Sequence, residues 1–255
     1  MIEKLRKNRF LFEELVKRDF KKKYKRTVLG IFWSLLSPLL QLFVMYLVFS
    51  RLYGNNVDHF VIYMFSAQLV YLYYTDATNG GMQALMGNAA IFSKVNIPKY
   101  LFLLSQNVSS LINFGMTLLV YVIFCLVDGV PITFLWIFLL YPISLLILFN
   151  IGVGLILSAL YVFFRDIEYL YQIFTMMVMY LSAIFYTIDK FPPLGRNLFL
   201  LNPIYLFGRY FRKIVLEQSV PSVWFHLLLL ADTLVMLGVG AWMYKRYNQR
   251  FLYYV

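Results

Sequence analysis

A cluster of basic side chains before position 27 is the part of the sequence best suited to binding chemistry, because cations there can hold anionic headgroups. The cluster comprises Lys17, Arg18, Lys21, Lys22, Lys23, Lys25 and Arg26. Apolar residues recur at helical spacing on the other side, at Leu11, Phe12, Leu15, Val16 and Phe20. We expect an amphipathic helix within residues 1–27 on the membrane surface, where each basic residue contributes about 1 kcal/mol. A solvated basic helix that only fixes topology is the alternative.

Two carboxylates occur inside long apolar runs, at Asp76 and Asp232. An ionised carboxylate is costly in lipid, so each should face water or the interior of a helix bundle. A polar stripe accompanies Asp76 along its helix, formed by Gln68, Thr75, Asn79 and Gln83. This pattern fits proton coupling or structural hydrogen bonds between helices. The structural interpretation is favoured because no Lys or Arg inside the apolar runs can pair with either carboxylate.

Aromatic residues repeat along two of the apolar segments. Phe43, Tyr46 and Phe49 share one broad face of the first segment, and Tyr171, Phe174 and Phe185 are roughly aligned in the fifth. Flat aromatic faces can let a sugar chain slide through many weak contacts. Aromatic residues at helical spacing also pack against neighbours, face lipid or form interfacial belts. The sequence leaves these interpretations open.

To position these residues, the chain must cross a membrane several times. Its composition is 62% hydrophobic and 14% charged, against roughly half apolar and a quarter charged in soluble domains. A span needs about 20 predominantly apolar residues. Six segments qualify, near residues 28–50, 61–86, 102–127, 134–163, 168–187 and 222–244. The predicted fold class is an all-α integral membrane protein with six transmembrane helices.

Proline and glycine predict how these spans bend and pack. The fourth span is long enough to tilt, to kink at Pro142 or to bend around its glycines. Small residues inside apolar helices allow neighbouring backbones to approach closely. We expect such packing at Gly80, Gly81, Gly152 and Gly154.

Basic residues in the connections predict the orientation. The N-terminal arm, the second connection with Lys94 and Lys99, and the tail 245–255 are basic, so both termini are expected in the cytoplasm. The fifth connection, 188–221, must then face outside, although long loops follow this rule less strictly. That connection contains Lys190, Arg196, Arg209, Arg212 and Lys213.

Short helices are predicted within this fifth connection, after Pro192-Pro193 and after Asn202-Pro203, because proline suits the first helical turn. In the second helix, one side is apolar and comprises Ile204, Phe207, Phe211, Ile214 and Val215. The other side carries Arg209, Arg212, Lys213 and Glu217. Two arrangements fit this pattern equally well: re-entrant helices that dip into the outer leaflet, and helices that lie on it.

Composition disfavours several classes of function. The single cysteine, Cys125, cannot form an intrachain disulfide, and His59 and His226 lack a short metal-ligand spacing, so no metal site is predicted. No GxxxxGK[ST] loop is present, so we predict no nucleotide site of that type and no enzyme activity. The net charge of +11 does not indicate nucleic acid, because eleven of the 23 basic residues precede Thr27 without an RNA- or DNA-reading motif.

Four stretches, in order and at suitable spacing, resemble the permease subunits of bacterial ABC-2-type exporters of surface polysaccharides. The stretch LVKRDFKKKYKRTVLGIFWSLLSPLL is similar to the beginning of their first span. The other three are NAAIFSKVNIPKYLFLLS, FFRDIEYL and the pair Asn202-Pro203. The chain departs from the family where Ser182 to Tyr186 replace a frequent Ser-Pro. The matching positions include Arg18, Asp19, Leu29, Gly30, Trp33, Pro38, Asn88, Lys94, Pro98, Arg165, Asp166, Asn202 and Pro203.

The resemblance implies a homodimeric transmembrane domain over residues 28–255, with two copies of an ABC ATPase subunit docked beneath it. The segment 88–99 would couple to the ATPase, through Asn88, Lys94, Pro98 and Lys99. The N-terminal helix would be an interfacial gate, 188–221 an external gate, and Arg165 and Asp166 would border the substrate path or the ATPase face. No cofactor is implied for this chain, whereas ATP and Mg²⁺ would bind the partner ATPase. The six aromatic residues of spans one and five would line a channel at the dimer interface.

The expected function is therefore export of a lipid-linked glycan, of O-antigen, teichoic acid or capsule type, across the bacterial inner or plasma membrane. The lipid pyrophosphate would be held near Lys21 to Arg26. An ABC-2 exporter of a small hydrophobic or drug-like substrate remains an alternative. A proton-driven carrier that uses Asp76 and Asp232 is a second, and a membrane-embedded glycolipid enzyme a third, although it would have only isolated acids such as Asp166 and Glu168.

Overall fold

A computed structural model describes residues 8–25, 27–53, 57–92, 94, 97–189, 191–247 and 250–252. Arg26 and Lys190 lie outside these ranges, as do positions 93, 95 and 96 of the predicted coupling segment. Every regular element in the described part of the chain is helical. This confirms the all-α prediction.

The α-helices are α1 (Arg9–Tyr24), α2 (Trp33–Tyr53), α3 (Phe60–Gln83), α4 (Ala89–Phe92), α5 (Tyr100–Val127), α6 (Leu140–Phe163), α7 (Ile167–Leu181), α8 (Pro193–Phe199), α9 (Pro203–Val215) and α10 (Val223–Tyr247). Short 3-10 turns occur at Gly30–Phe32, Met86–Asn88, Phe134–Leu139 and Arg250–Leu252. Helices α8 and α9 begin at the prolines from which the sequence predicted them, and the Asn202 side chain caps α9 by accepting a hydrogen bond from the Ile204 amide at 3.0 Å.

Four helical segments in the described residues are long and apolar enough to cross a membrane. They correspond to the predicted first, third, fourth and sixth spans and cover Gly30–Arg51, Tyr100–Val127, Phe134–Phe163 and Val223–Tyr247. The long fourth segment changes from a 3-10 turn to an α-helix at Leu140, and Pro142 lies in the first turn of α6. Helix α3 is long but carries the polar stripe, and α7 has only 15 residues. The second and fifth spans therefore stay predictions.

The fifth predicted span, 168–187, was expected to be helical to its end, but α7 stops at Leu181. Ser182 donates a hydrogen bond back to the Val178 carbonyl at 2.6 Å, and Ala183 adopts a left-handed conformation with φ 48°. Asn202 donates to the Leu181 carbonyl at 3.1 Å. The turn that begins at Ser182 thus ends the helix without a proline.

The buried apolar residues form two separate clusters. The larger, which we call the central cluster, joins α3, α6, α7 and α9 through side chains such as Phe65, Phe149 and Phe207. The smaller lies at the end of the bundle where α1, α4 and the turn Arg250–Leu252 meet, and we call it the terminal cluster. It comprises Leu15, Ala84, Leu85, Phe92, Ile97, Leu101, Phe102, Leu103, Leu155, Ala159, Val162, Tyr244 and Phe251.

Glycine allows two close helix contacts. A Cβ atom on Gly152 of α6 would lie 2.6 Å from the backbone nitrogen of Leu237 in α10. A Cβ on Gly81 of α3 would lie 3.2 Å from the Cα of Gly154. The sequence-based prediction of close packing at these glycines is confirmed, and α6 is thereby held tightly between α3 and α10.

Helix α9 lies inside the bundle, packed against α3, α6 and the turn Phe134–Leu139. The expectation that Arg212 lies on an exposed polar side was wrong, because this arginine is only 2% exposed. Its guanidinium donates to the carbonyls of Tyr63, Ala183 and Ile184 at 3.0, 2.9 and 3.0 Å. The carbonyls freed by the end of α7 provide partners that helical periodicity in the sequence does not indicate.

Candidate functional site

A cavity of about 590 Å³ opens where the end of α1, the start of α2, and helices α3 and α5 meet. This volume lies within the range of small-molecule sites, which is roughly 300–1,000 Å³. Its lining is unusual for an apolar protein because most of the side chains are uncharged but polar. These are Thr27, Ser34, Ser37, Gln41, Thr75, Asn79, Ser110, Asn113 and Thr117, together with Tyr24 and Tyr73.

The two charged groups of this cavity pair with each other. Lys23 Nζ lies 2.6 Å from Oδ1 and 2.7 Å from Oδ2 of Asp76. Asn113 donates to Asp76 Oδ2 at 3.3 Å, and the Tyr24 hydroxyl donates to Asn113 Oδ1 at 2.7 Å. Burial raises the pKa of Tyr24, which therefore stays a neutral donor. The sequence analysis considered only basic residues inside the apolar runs, whereas the partner of Asp76 comes from α1, outside those runs.

Helix α1 is placed by its apolar face and by one acidic side chain. Leu15 is buried in the terminal cluster, and Asp19 is only 9% exposed. Asp19 accepts hydrogen bonds from Arg18 at 2.6 Å and from the Ser105 hydroxyl of α5 at 2.8 Å. Because this anchors α1 on α5, the last turn of α1 directs Lys23 towards Asp76.

The predicted basic cluster divides at this point. Lys21, Lys22, Lys23 and Lys25 are all exposed, but Lys23 is the one lysine among the described residues that lines the cavity. The residues Trp33 and Pro38, singled out by the family resemblance, also line it. Sequence reasoning missed the polar side of α5, although Ser110, Asn113 and Thr117 follow a helical i, i+3, i+7 spacing that could have revealed it.

Comparison with known proteins places the chain in a family. Residues 11–216 match the family described as ABC-2 type transporter. The chain belongs to that family. It is 24% identical over 246 residues to the O-antigen export system permease protein RfbA of Klebsiella pneumoniae, covering 95% of each chain. It is also 25% identical over 255 residues to the protein of the same name from Myxococcus xanthus, covering 98% of this chain and 97% of that one. Permease subunits of ABC-2 transporters are multi-pass membrane components of transport rather than catalysts.

In this ABC-2 chain the predicted coupling segment has an inward and an outward side. Asn88 is buried and donates to the Ala84 carbonyl at 2.7 Å. Lys94 is exposed and Pro98 half-buried. Lys99 is 9% exposed, with its Nζ 5.8 Å from the ring centroid of Phe92, and burial lowers its pKa. A docking protein could reach Lys94 directly, but would affect Asn88 and Lys99 only by moving the segment.

The six predicted channel aromatics differ in exposure. Phe43, Tyr46 and Phe174 are exposed, whereas Tyr171 and Phe185 are buried. Phe49 stacks on Phe185 with ring centroids 4.2 Å apart, so the C-terminal part of α2 contacts the turn that follows α7. The Tyr171 hydroxyl donates to Thr78 of α3 at 2.6 Å. Both α2 and α7 present exposed apolar surface away from the bundle.

A second polar group ties the start of α7 to the helices beside it. Glu168 accepts hydrogen bonds from Gln83 of α3 and from the Tyr161 hydroxyl of α6, both at 2.9 Å. The Arg165 guanidinium lies 5.5 Å from the Tyr161 ring centroid, and Asp166 is exposed just before α7. Since the predicted coupling segment begins five residues after Gln83, this contact links the segment to α7.

Asp232, the carboxylate of the sixth predicted span, lies partly exposed on α10 and does not line the cavity. Among the described residues, no three His, Cys, Asp or Glu side chains come together as a group that could hold a metal ion. The polar side chains that line the cavity are thus grouped around Lys23 and Asp76.

Proposed function

We propose that this chain is the permease of an ATP-driven exporter that moves a lipid-linked cell-surface polysaccharide, of O-antigen, teichoic acid or capsule type, out of the cytoplasm. The names of its relatives support the polysaccharide, because they are O-antigen export system permease proteins. The single observation that carries the proposal is the cavity, where one cation lies among hydroxyl and amide side chains.

The chemistry of the cavity suits the two parts of such a substrate. The pyrophosphate of a lipid-linked glycan can take the place of Asp76 beside Lys23, since phosphate oxygens form strong charge-assisted hydrogen bonds. Side chains such as Ser37, Gln41 and Asn79 can exchange hydrogen bonds with sugar hydroxyls. A drug-like hydrophobic substrate would bury the remaining donor and acceptor sites of these groups without hydrogen bonds, at a cost in binding. The polar lining therefore favours the glycan.

The proposed assembly is a homodimer with six spans in each protomer, in which α3 and α7 cross as the second and fifth. Exposed apolar side chains on α2 and α7, including Phe43, Tyr46 and Phe174, would meet a second copy and line the channel. The buried α9 and the short α8 would close the external end as a gate. Both termini would lie in the cytoplasm.

Two ABC ATPase subunits would bind at the coupling segment, and ATP and Mg²⁺ would belong to those subunits. The terminal cluster supports this coupling because it contains side chains from the N-terminal helix, the coupling segment and α5. If the ATPase displaced Phe92, Leu15 would have to shift as well, because both side chains belong to the same cluster. The polar cavity at the end of α1 would then open or close with the ATPase cycle.

Gentle extraction of the tagged chain from its native membranes tests this function. We expect an ABC ATPase to co-purify, and its activity to rise with lipid-linked glycan but not with hydrophobic drugs. Replacing the exposed Lys94 by Glu should release the ATPase, whereas the same replacement at the exposed Lys17 should not. A chain that purifies without an ATPase, and whose transport responds only to a proton gradient, would contradict the proposal and favour the carrier.

A further inference from the structure

The turn Arg250–Leu252 folds back against the helices at the terminal end of the bundle. Phe251 in this turn is fully buried, although it lies only a few residues from the end of the sequence. Its ring centroid lies 5.3 Å from that of Tyr244 in α10 and 6.0 Å from that of Phe163 in α6. The turn is therefore held by the α6–α10 pair.

The coupling segment also contacts Phe251, through Lys99. The Nζ of Lys99 lies 5.7 Å from the ring centroid of Phe251 and 5.8 Å from that of Phe92. A lysine amine at this distance from an aromatic face is attracted by the negative face of the ring. The cation of Lys99 thus lies between a ring of the coupling segment and a ring of the C-terminal turn. Lys99, just before α5, is only 9% exposed at this position.

The helices behind Phe251, α6 and α10, pack closely against each other. A Cβ on Gly240 of α10 would lie 2.5 Å from the carbonyl oxygen of Gly152 in α6, so these two backbones are in direct contact. A segment pressed against Phe251 is therefore pressed against α6 and α10 together. Without the Phe251 ring, the coupling segment could move into the space left behind, and α6 and α10 would not be displaced.

We infer that Phe251 is a positioning residue, which braces the coupling segment through Lys99 so that movement of the segment is transmitted to α6 and α10. The inference rests on the proposed function, because it requires an ATPase that pushes on residues 88–99. It adds a role for the C-terminal turn that neither the cavity nor the coupling segment itself supplies.

The contact itself is tested by amine labelling of the full-length chain in lipid nanodiscs, followed by mass spectrometry. Lys94 provides an internal reference because it is exposed five residues before Lys99. We expect Lys99 to react at least tenfold more slowly than Lys94, and this difference to shrink severalfold in Phe251→Leu. The same substitution at the exposed Phe134 should leave the ratio unchanged. Equal labelling of the two lysines, or no effect of Phe251→Leu, would overturn the inference.

The coupling role is tested on the permease–ATPase complex as glycan transported per ATP hydrolysed. We expect this ratio to fall severalfold in Phe251→Leu and in Lys99→Met, and the double variant to be no worse than either. Lys99→Arg should retain most of the ratio because it keeps the cation. A merely structural role would lower expression or stability without changing transport per ATP.

Two failures can be told apart. A wild-type complex that shows no glycolipid-stimulated ATPase activity would overturn the proposed function, and the brace with it. If glycolipid stimulates the ATPase of the wild-type complex, and Phe251→Leu transports as much glycan per ATP as the wild type, only the role of Phe251 is overturned. Independent, multiplying effects of Phe251→Leu and Lys99→Met would also contradict it, since the two side chains are proposed to act through one contact.

Discussion

Lys23 and Arg212 both bring a positive charge into the helical bundle, but they do so at different depths and with different partners. Along α3, the residues they contact are Asp76 and Tyr63, which are thirteen positions and therefore about 20 Å apart. Arg212 is 2% exposed, while the side chain of Lys23 is 39% exposed. The two cations therefore lie in environments of very different polarity.

The partners differ as much as the burial. Arg212 holds three backbone carbonyls and lies 3.5 Å from the Tyr63 ring centroid, and none of these groups can leave without unfolding the chain locally. Lys23 holds one carboxylate, on a side chain that is itself 31% exposed and borders a cavity. An anion from outside can compete for Lys23 but not for Arg212. The comparison separates a cation that maintains the fold from one that is available for a ligand.

The largest effect is expected from Arg212→Met, which keeps much of the side-chain volume but removes the donor to three backbone carbonyls, of which those of Ala183 and Ile184 lie outside any helix. We expect a loss of roughly 3 kcal/mol or more in the free energy of unfolding, because unsatisfied buried polar groups cost about 1–3 kcal/mol each. Thermal unfolding in detergent measures this. Arg212→Lys should recover only part of the loss, since a lysine lacks the planar fork that reaches several acceptors. An unchanged melting temperature would show that Arg212 does not maintain the fold, and the contrast with Lys23 would fail.

A smaller effect is expected from Asp76→Asn, and it is a gain in substrate affinity instead of a loss of stability. The amide keeps the shape of the side chain but no longer competes as an anion for Lys23, so lipid-linked glycan should bind severalfold more tightly. Stability should change by less than about 1 kcal/mol, because both side chains are about a third exposed and such pairs contribute little. Binding to the purified complex, titrated at fixed ionic strength, gives the affinity. Weaker binding would mean that Asp76 itself contacts the substrate.

The smallest effect is expected from salt. Raising the ionic strength from 0.15 to 1 M shortens the Debye length from about 8 to about 3 Å. Apparent affinity for the glycolipid should fall by about two- to threefold, because Lys23 is partly exposed. The melting temperature should move little, since Arg212 is screened from solvent by the protein around it. A large salt effect on unfolding would show that the buried cation is accessible after all.

Much of the fold could be predicted from local patterns in the sequence. The apolar runs predicted the four helical segments that are long enough to cross a membrane, and Pro193 and Pro203 predicted where α8 and α9 begin. Close packing at Gly81 and Gly152 was also predicted, because a residue without a side chain lets the backbone of a neighbouring helix approach closely. Each of these signals lies within a few residues of the feature that it predicts.

The features that were missed depend on residues far apart in the chain. Lys23 and Asp76 are separated by 53 positions, and Arg212 meets the carbonyl of Ala183 across 29. Helical periodicity placed Arg212 on a polar side because it carries no information about carbonyls released by the end of a different helix. The cavity was missed for the same reason, although the polar spacing on α5 was visible in the sequence.

The most direct test of the account is glycolipid-stimulated ATPase activity of the purified permease–ATPase complex, compared between Lys23→Gln and Lys22→Gln. Both variants lose one positive charge from the same turn of α1, but only Lys23 lines the cavity. We predict that Lys23→Gln raises the glycolipid concentration needed for half-maximal stimulation about tenfold, whereas Lys22→Gln changes it by less than twofold. Equal effects of the two substitutions would contradict the account, because the basic helix would then act only through its overall charge.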